Sequence, residues 1–181
     1  MAIKKKPLQK GKLPAAKETP ASYVAKSGTV GKGKPAKSQR GKAKHTAIIY
    51  STDSKPENRM TPFEKMEKLR EGLRKTDLER LKSRTDLDYD KLSKLLSVTR
   101  STLINKKELE TYSYAVGERM IDLADIYSYG YEVFEDESRF KDWMFRPNKS
   151  LEGKTPFEIL DNQFGRQEVR NLIGRIEHGV Y

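Results

Sequence analysis

Residues 143–181, WMFRPNKSLEGKTPFEILDNQFGRQEVRNLIGRIEHGVY, decide the reading of the fold, because their helix signals are explicit. Thr155-Pro156-Phe157-Glu158 has the form of a capping box: the threonine hydroxyl can accept the amide hydrogen of Glu158, whose carboxylate can reach back to the Thr155 amide, with proline at the first helical position. A helix is expected to start at Thr155, with Phe157, Ile159 and Leu160 on its apolar face. Gly165 reads as a break before a second helix, whose stripe is Val169, Leu172, Ile173 and Ile176 and whose cap is Gly179. Val180 and Tyr181 follow that cap and should be exposed, so the module is expected to use its end. Ahead of the pair, Arg146 to Ser150 reads as a loop, since Pro147 disfavours helix at Arg146 and Asn148 favours a turn.

Working outward, the same letters recur at Thr61-Pro62-Phe63-Glu64, where order is expected to begin and a helix with the stripe Phe63, Met66, Leu69 and Leu73 to start. Shorter helices are expected over Asp77 to Ser83 and Asp88 to Leu96. A long one over Ser113 to Phe134 carries Val116, Met120, Leu123, Ala124, Ile126, Tyr127, Tyr131 and Phe134, enough to be the spine of a bundle. Asp136 can cap a further helix carrying Phe140, Trp143 and Met144, of which Phe140 and Trp143 read as core rather than contact. Strand signals are confined to a weak Ile48-Ile49-Tyr50, so the fold class is all-α, a small helical bundle.

Charge divides the chain. Residues 1 to 46 hold thirteen Lys/Arg against one acid, Glu18, a charge of +12, so the remainder carries −1 of the total +11. A segment of Lys, Gly, Pro, Ala and Ser cannot bury enough apolar surface to offset its ordering entropy, and is expected to be a disordered basic tail. It serves either as a tether to nucleic acid phosphates or as a solubilising extension. Gly28-Thr29-Val30-Gly31-Lys32-Gly33-Lys34 has phosphate-loop spacing, but Pro35 follows where a Ser or Thr must reach magnesium, and no strand precedes it. Nucleotide binding is therefore not expected there.

The chain has no cysteine, which removes disulfides and thiolate metal sites; its two histidines stand far apart. The acids are spread along helix surfaces, where they balance Lys and Arg neighbours. No catalytic residue, metal or cofactor is expected, and the chain is read as a non-enzyme. With no long apolar run and no signal-peptide core, it is read as soluble and cytoplasmic, nucleoid-associated when DNA-bound.

Leu92 to Leu103, LSKLLSVTRSTL, has the order of a helix-turn-helix. Leu92 and Leu96 pack one helix, Ser97 and Val98 make the turn, Thr99 caps the next helix and Leu103 anchors it. Thr99, Arg100, Ser101, Thr102, Asn105, Lys106 and Lys107 then form the candidate DNA-binding set. Arg and Asn can read guanine and adenine edges with paired hydrogen bonds. The bland alternative is a structural helix pair with a solvated basic face. Ser97 stands where such motifs usually have glycine, and Ser93 where they usually have alanine.

Taken together, residues 63 to 181 resemble the antitoxin family that joins an Xre-like helix-turn-helix to a toxin-binding domain, the MbcA/ParS/Xre family. The residues that carry this are Leu92 through Leu103 and, more specifically, Trp143, Arg146-Pro147-Asn148, Leu151, Gly153, Thr155-Pro156, Gly165, Val169, Leu172 and Ile176-Glu177-His178-Gly179-Val180. The resemblance implies a type II antitoxin. Its partner would be a RES-domain toxin that depletes NAD, with a C-terminal region that occludes the toxin active site. The other half would repress the shared operon by binding double-stranded operator DNA, as a homodimer or a toxin–antitoxin hetero-oligomer. The division expected is 1–58 basic tail, 59–112 helix-turn-helix domain and 113–181 toxin-binding domain. The toxin-binding candidates are Arg146, Asn148, Arg175, Glu177, His178, Gly179, Val180 and Tyr181. Those from Arg175 onward lie at or beyond the helix end, where a structural role is hardest to justify; Arg146 and Asn148 could equally satisfy loop carbonyls. The rival reading is a DNA-binding regulator or nucleoid-associated protein without a toxin.

Overall fold

The structure, a computed structural model, describes residues 47–50 and 54–180; the basic tail, the phosphate-loop look-alike and Tyr181 lie outside the described residues. Among these residues the chain forms seven α-helices and no strand: α1 (Pro62–Glu71), α2 (Lys75–Thr85), α3 (Tyr89–Leu96), α4 (Arg100–Ile104), α5 (Tyr114–Phe134), α6 (Glu137–Met144) and α7 (Gln163–Glu177). Short 3₁₀ turns lie at Glu57–Arg59, Lys149–Leu151 and Phe157–Ile159.

Helix α5 is the spine that its length and apolar content predict. Met120, Leu123, Ala124, Ile126 and Tyr127 are almost fully buried on it, and α1, α2, α3, α6 and α7 all pack against it. Asp136 caps α6 through the amides of Ser138 and Arg139, and α6 folds back so that Phe140 meets Tyr127, Tyr131 and Phe134 edge-on. Gly130 permits that approach, since a Cβ there would lie 2.1 Å from the Phe140 ring. Trp143 stacks on Phe140 at 5.7 Å and packs, half-buried, against the core.

Four expectations are corrected. Order begins before residue 59: Ile48 and Ile49 are buried, and the buried Glu57 carboxylate accepts the Ile48 amide at 2.8 and 2.9 Å and the Ile49 amide at 2.7 Å. An apolar pair too short for a strand thus becomes a plug, its backbone satisfied by one acid. In α1 the stripe is displaced, because Lys65 and Leu69 face α5 while Phe63 is 80% exposed and Met66 41%. Residues 59–112 and 113–181 are not separately packed bodies, since α5 shares its core with α1, α2 and α3.

The fourth correction concerns the second capping box. Its reciprocal bonds form, Glu158 amide to Thr155 hydroxyl at 3.2 Å and Thr155 amide to Glu158 carboxylate at 2.7 Å, yet only one 3₁₀ turn follows. The chain restarts at Asn162, whose side chain accepts the Gly165 amide at 2.9 Å. Gly165 lies inside the first turn of α7 and is no break. A Cβ there would stand 1.6 Å from the Ile159 carbonyl oxygen, so glycine lets the corner and the helix touch.

Candidate functional site

Helices α3 and α4 meet at Ser97, Val98 and Thr99 as the sequence predicts. Leu92, Leu96 and Leu103 are fully buried. Ser97 takes the left-handed conformation, φ 53°, at the position where glycine would be unstrained. Thr99 caps α4 by accepting the Thr102 amide at 3.1 Å. Thr99, Arg100, Ser101, Thr102, Asn105 and Lys107 are exposed.

Helix α4 is shorter than the reading of Arg100 to Lys107 as one outward face requires. It ends at Ile104, where Tyr112 and Lys75 take the carbonyls of Leu103 and Ile104 at 3.1 and 2.7 Å. Asn105 caps the end and donates to the Ser101 hydroxyl at 2.9 Å. Lys106 is half-buried, its ammonium 5.7 Å from the Tyr112 ring and 3.5 Å from Glu110. The surface also neutralises itself: Arg100 pairs with Asp90 at 3.3 Å and Lys107 with Glu110 at 3.8 Å. Residues 86–112 carry five acids and five bases, so this face has no excess of positive charge.

The C-terminal candidates are built on α7, which buries Val169, Leu172 and Ile173 against α5. Arg166 bonds Asp122 at 3.1 Å, and one helical turn on Arg170 pairs with the buried Asp125, which Lys65 of α1 also bonds. Burial pulls the Lys65 ammonium below its usual pKa, and the nearby Arg170 charge adds to the effect. Burial lowers the Arg170 guanidinium likewise. These ion pairs join three helices at one point.

Beyond them the helix ends in an open turn. Arg175 pairs with Glu168 at 2.5 Å, the Tyr129 hydroxyl of α5 donates to Glu177, and the His178 imidazole lies 3.9 Å from the same carboxylate. The amides of His178, Gly179 and Val180 close back on Gly174, Ile176 and Arg175 at 3.1, 3.2 and 2.9 Å, so the predicted cap is present. Val180 is 60% exposed, and Arg175, Glu177, His178 and Gly179 are exposed with it. A groove of about 430 Å³ runs beside this turn, with Tyr129, Arg170, Gly174, Arg175, His178 and Val180 on its walls.

Arg146 and Asn148 are not brought to that turn. Asn148 is occupied in its own loop: its side chain accepts the Ser150 amide at 2.9 Å, and its carbonyl accepts the amides of Leu151 and Gly153 at 3.0 Å. Arg146 is exposed one residue beyond Phe145, whose ring packs on Phe157 at 4.8 Å. That corner meets the start of α7 at Gly165, whereas Arg175 lies ten residues, about 15 Å, along the helix. Tyr129 and Arg170 join this site through the fold, from positions outside the motifs of the sequence. Tyr129 falls off the buried stripe of α5, and an aromatic so placed is the signal that could have found it.

Among the described residues no group of three or more His, Asp or Glu side chains is placed to hold a metal ion, and no helix is long and apolar enough to cross a membrane. Residues 130–179 match the family model described as the antitoxin Xre/MbcA/ParS C-terminal toxin-binding domain. The chain is 36% identical over 64 residues to an antitoxin Xre of Photorhabdus laumondii, covering 35% of this chain and 43% of that protein. It is 41% identical over 46 residues to an antitoxin Xre of Yersinia enterocolitica, covering 25% of this chain and 31% of that protein. The chain thus spans less than half the length of these curated relatives. Helix α7 with its corner and its open end falls almost entirely within the matched residues. The resemblance to Xre/MbcA/ParS-type antitoxins that the sequence carries is borne out by these matches.

Proposed function

We propose that this protein is the antitoxin of a type II toxin–antitoxin system, a non-enzymatic inhibitor that binds a RES-type, NAD-depleting toxin and represses its own operon. The observation that carries the reading is the coincidence of two facts. The residues that match a toxin-binding domain run to Gly179, and the turn in which they end, Arg175 to Val180, exposes Arg175, Glu177, His178, Gly179 and Val180. In this reading the turn, with Tyr181 after it, enters the toxin's substrate cleft and fills space meant for a dinucleotide. The helix-turn-helix contacts the operator through Arg100, Ser101 and Thr102 at the start of α4. The basic tail of residues 1–46 supplies the phosphate contacts that the neutral face of residues 86–112 lacks.

The test is co-expression with the product of the adjacent reading frame, scoring growth rescue, cellular NAD and co-purification. Full-length protein should restore growth and NAD, and the variant lacking residues 179–181 should fail to do so while still binding operator DNA. Arg100→Ala should do the reverse, losing about 1–3 kcal/mol of operator affinity, roughly ten- to a hundredfold, with neutralisation intact. A neighbour whose toxicity is unaffected, together with retained sequence-specific DNA binding, would leave the plain DNA-binding regulator as the function.

A further inference from the structure

The last turn of α7 is fixed in shape by its own backbone bonds, from His178, Gly179 and Val180 back to residues 174–176. Those bonds tie the turn to the helix, but a helix end held by backbone bonds alone frays open at little cost. Resistance to fraying must come from contacts to another element, and past Ile173 no α7 side chain is fully buried; Ile176 is half-buried and the rest are largely exposed. Within the turn, the Arg175 pair with Glu168 stays inside α7. Among the described residues, the hydrogen bond that crosses from this turn to a neighbouring helix is the one from the Tyr129 hydroxyl to the Glu177 carboxylate.

Tyr129 is itself held. The Arg170 guanidinium lies over its ring at 5.2 Å, in cation–π range, and Arg170 is paired with Asp125, which is buried on α5 one helical turn before Tyr129. Asp125 is bonded from its other side by Lys65 of α1. A phenol ring clamped in this way is a fixed point on the spine, and the carboxylate it holds is one residue from His178.

We propose that Tyr129 is the positioning residue for the protein-binding turn: through Glu177 it holds His178, Gly179 and Val180 in the orientation in which they meet the partner. The proposal rests on the reading of the chain end as the toxin-contacting surface. Its physical basis is preorganisation, because a turn already aimed does not have to be ordered when the complex forms. In this proposal Tyr129 acts through Glu177, by keeping the turn in place. If its bond served the fold alone, removing it would lower the melting midpoint and weaken operator binding and toxin binding together.

The experiment uses the full-length protein, Tyr129→Phe, the deletion of residues 179–181 and the two combined. It measures affinity for the co-purifying product of the adjacent reading frame, operator affinity, the melting midpoint, and amide hydrogen exchange of His178, Gly179 and Val180 in the free protein. Tyr129→Phe should speed exchange at those three amides and weaken toxin binding about three- to tenfold, less than the full loss of a hydrogen bond to a charged group because the turn can still be ordered by the partner, with operator affinity unchanged. In the deletion background the same substitution should add nothing further, because the element it aims is gone. Multiplying effects of the two changes, or unchanged exchange in Tyr129→Phe, overturns the proposal. A deletion that weakens toxin binding while Tyr129→Phe does not also overturns it but leaves the function intact. Full toxin affinity in the deletion variant overturns the reading of the chain end itself.

Discussion

The tetrapeptide Thr-Pro-Phe-Glu occurs twice, at residues 61–64 and 155–158, and the two copies make the same hydrogen bonds and different structures. At Thr61 the box opens α1, a ten-residue helix; at Thr155 it opens a three-residue 3₁₀ turn and a corner. The bonds are near copies, with the Glu64 amide to Thr61 and the Glu158 amide to Thr155 both at 3.2 Å. What differs is the continuation. Lys65 to Glu71 is a run of helix-favouring residues, whereas Ile159-Leu160-Asp161-Asn162 contains two residues that favour caps, Asp161 and Asn162. A capping box states where a helix can start; the following residues decide whether it goes on. Here the second start, at Asn162, wins because α7 buries Val169, Leu172 and Ile173 and the turn from Phe157 does not.

The comparison breaks first at Gly165. Alanine there gains about 1 kcal/mol in helix propensity and places a Cβ 1.6 Å from the Ile159 carbonyl oxygen, a backbone atom that cannot swing away. The clash should outweigh the propensity, and Gly165→Ala should destabilise the protein by about 3 kcal/mol or more, read by urea unfolding. Gly174→Ala is the matched control, since its Cβ would meet the Tyr129 hydroxyl at an ordinary 3.4 Å. That variant should be neutral or stabilised by up to about 1 kcal/mol. Equal destabilisation of the two would show that the corner does not depend on the contact between Gly165 and Ile159.

A second test sets the caps against each other. Asn162→Ala removes the side-chain acceptor of a fifteen-residue helix and should cost about 1 kcal/mol, as should Thr61→Ala at the start of α1. Thr155→Ala should cost about half as much or less, because the 3₁₀ turn behind it has no ladder of bonds to lose. Thermal unfolding of the three variants decides the order. A Thr155 cost as large as that of Thr61 would mean that the corner is a helix nucleus after all.

Much of this architecture was legible because local signals coincided with burial. The caps at Thr99 and Asp136, the helix over Asp88 to Leu96, the spine over Ser113 to Phe134 and the burial of Phe140 all follow from local signals. What escaped the sequence was non-local. Ile48 and Ile49 read as an orphan pair until Glu57 is seen to satisfy their amides, and Phe63 reads as core until α1 is seen to turn Lys65 and Leu69 inward. In the candidate site the exposed end of α7 was read from the Gly179 cap, but the tether through Tyr129 was not, since Tyr129 and Glu177 are 48 residues apart. The charge state of the α4 face was hidden for a related reason. Arg100 and Lys107 are the residues a DNA reader would use, and only the fold shows Asp90 and Glu110 beside them.

The smallest expected effect distinguishes the two boxes by charge. The bond from the Thr61 backbone amide, with help from Lys55 at 3.0 Å and the Thr61 hydroxyl network, pulls the Glu64 carboxyl down from 4.5 to about 2. Glu158 is lowered by the bond from its own threonine amide but has no lysine at bonding distance among the described residues. A folded-state pKa below the unfolded value means that the unfolded chain binds more protons across that interval, so stability rises with pH there. The contribution of Glu64 is therefore complete above about 4.5 and is lost as pH falls towards about 2. Glutamine can make the reciprocal bond without a charge, so Glu64→Gln should be less stable than the parent at pH 5 and converge on it by pH 2. Glu158→Gln should show the same convergence with a smaller starting gap, because among the described residues Glu158 has no lysine hydrogen bond like that of Lys55 to Glu64 and feels Lys154 only as a nearby charge. Melting curves of the parent and both variants at half-unit steps from pH 5 to pH 2 measure it. A gap for Glu64→Gln that stays constant across the range would show that the carboxylate caps α1 by shape alone, and that the charge of the first box adds nothing the second lacks.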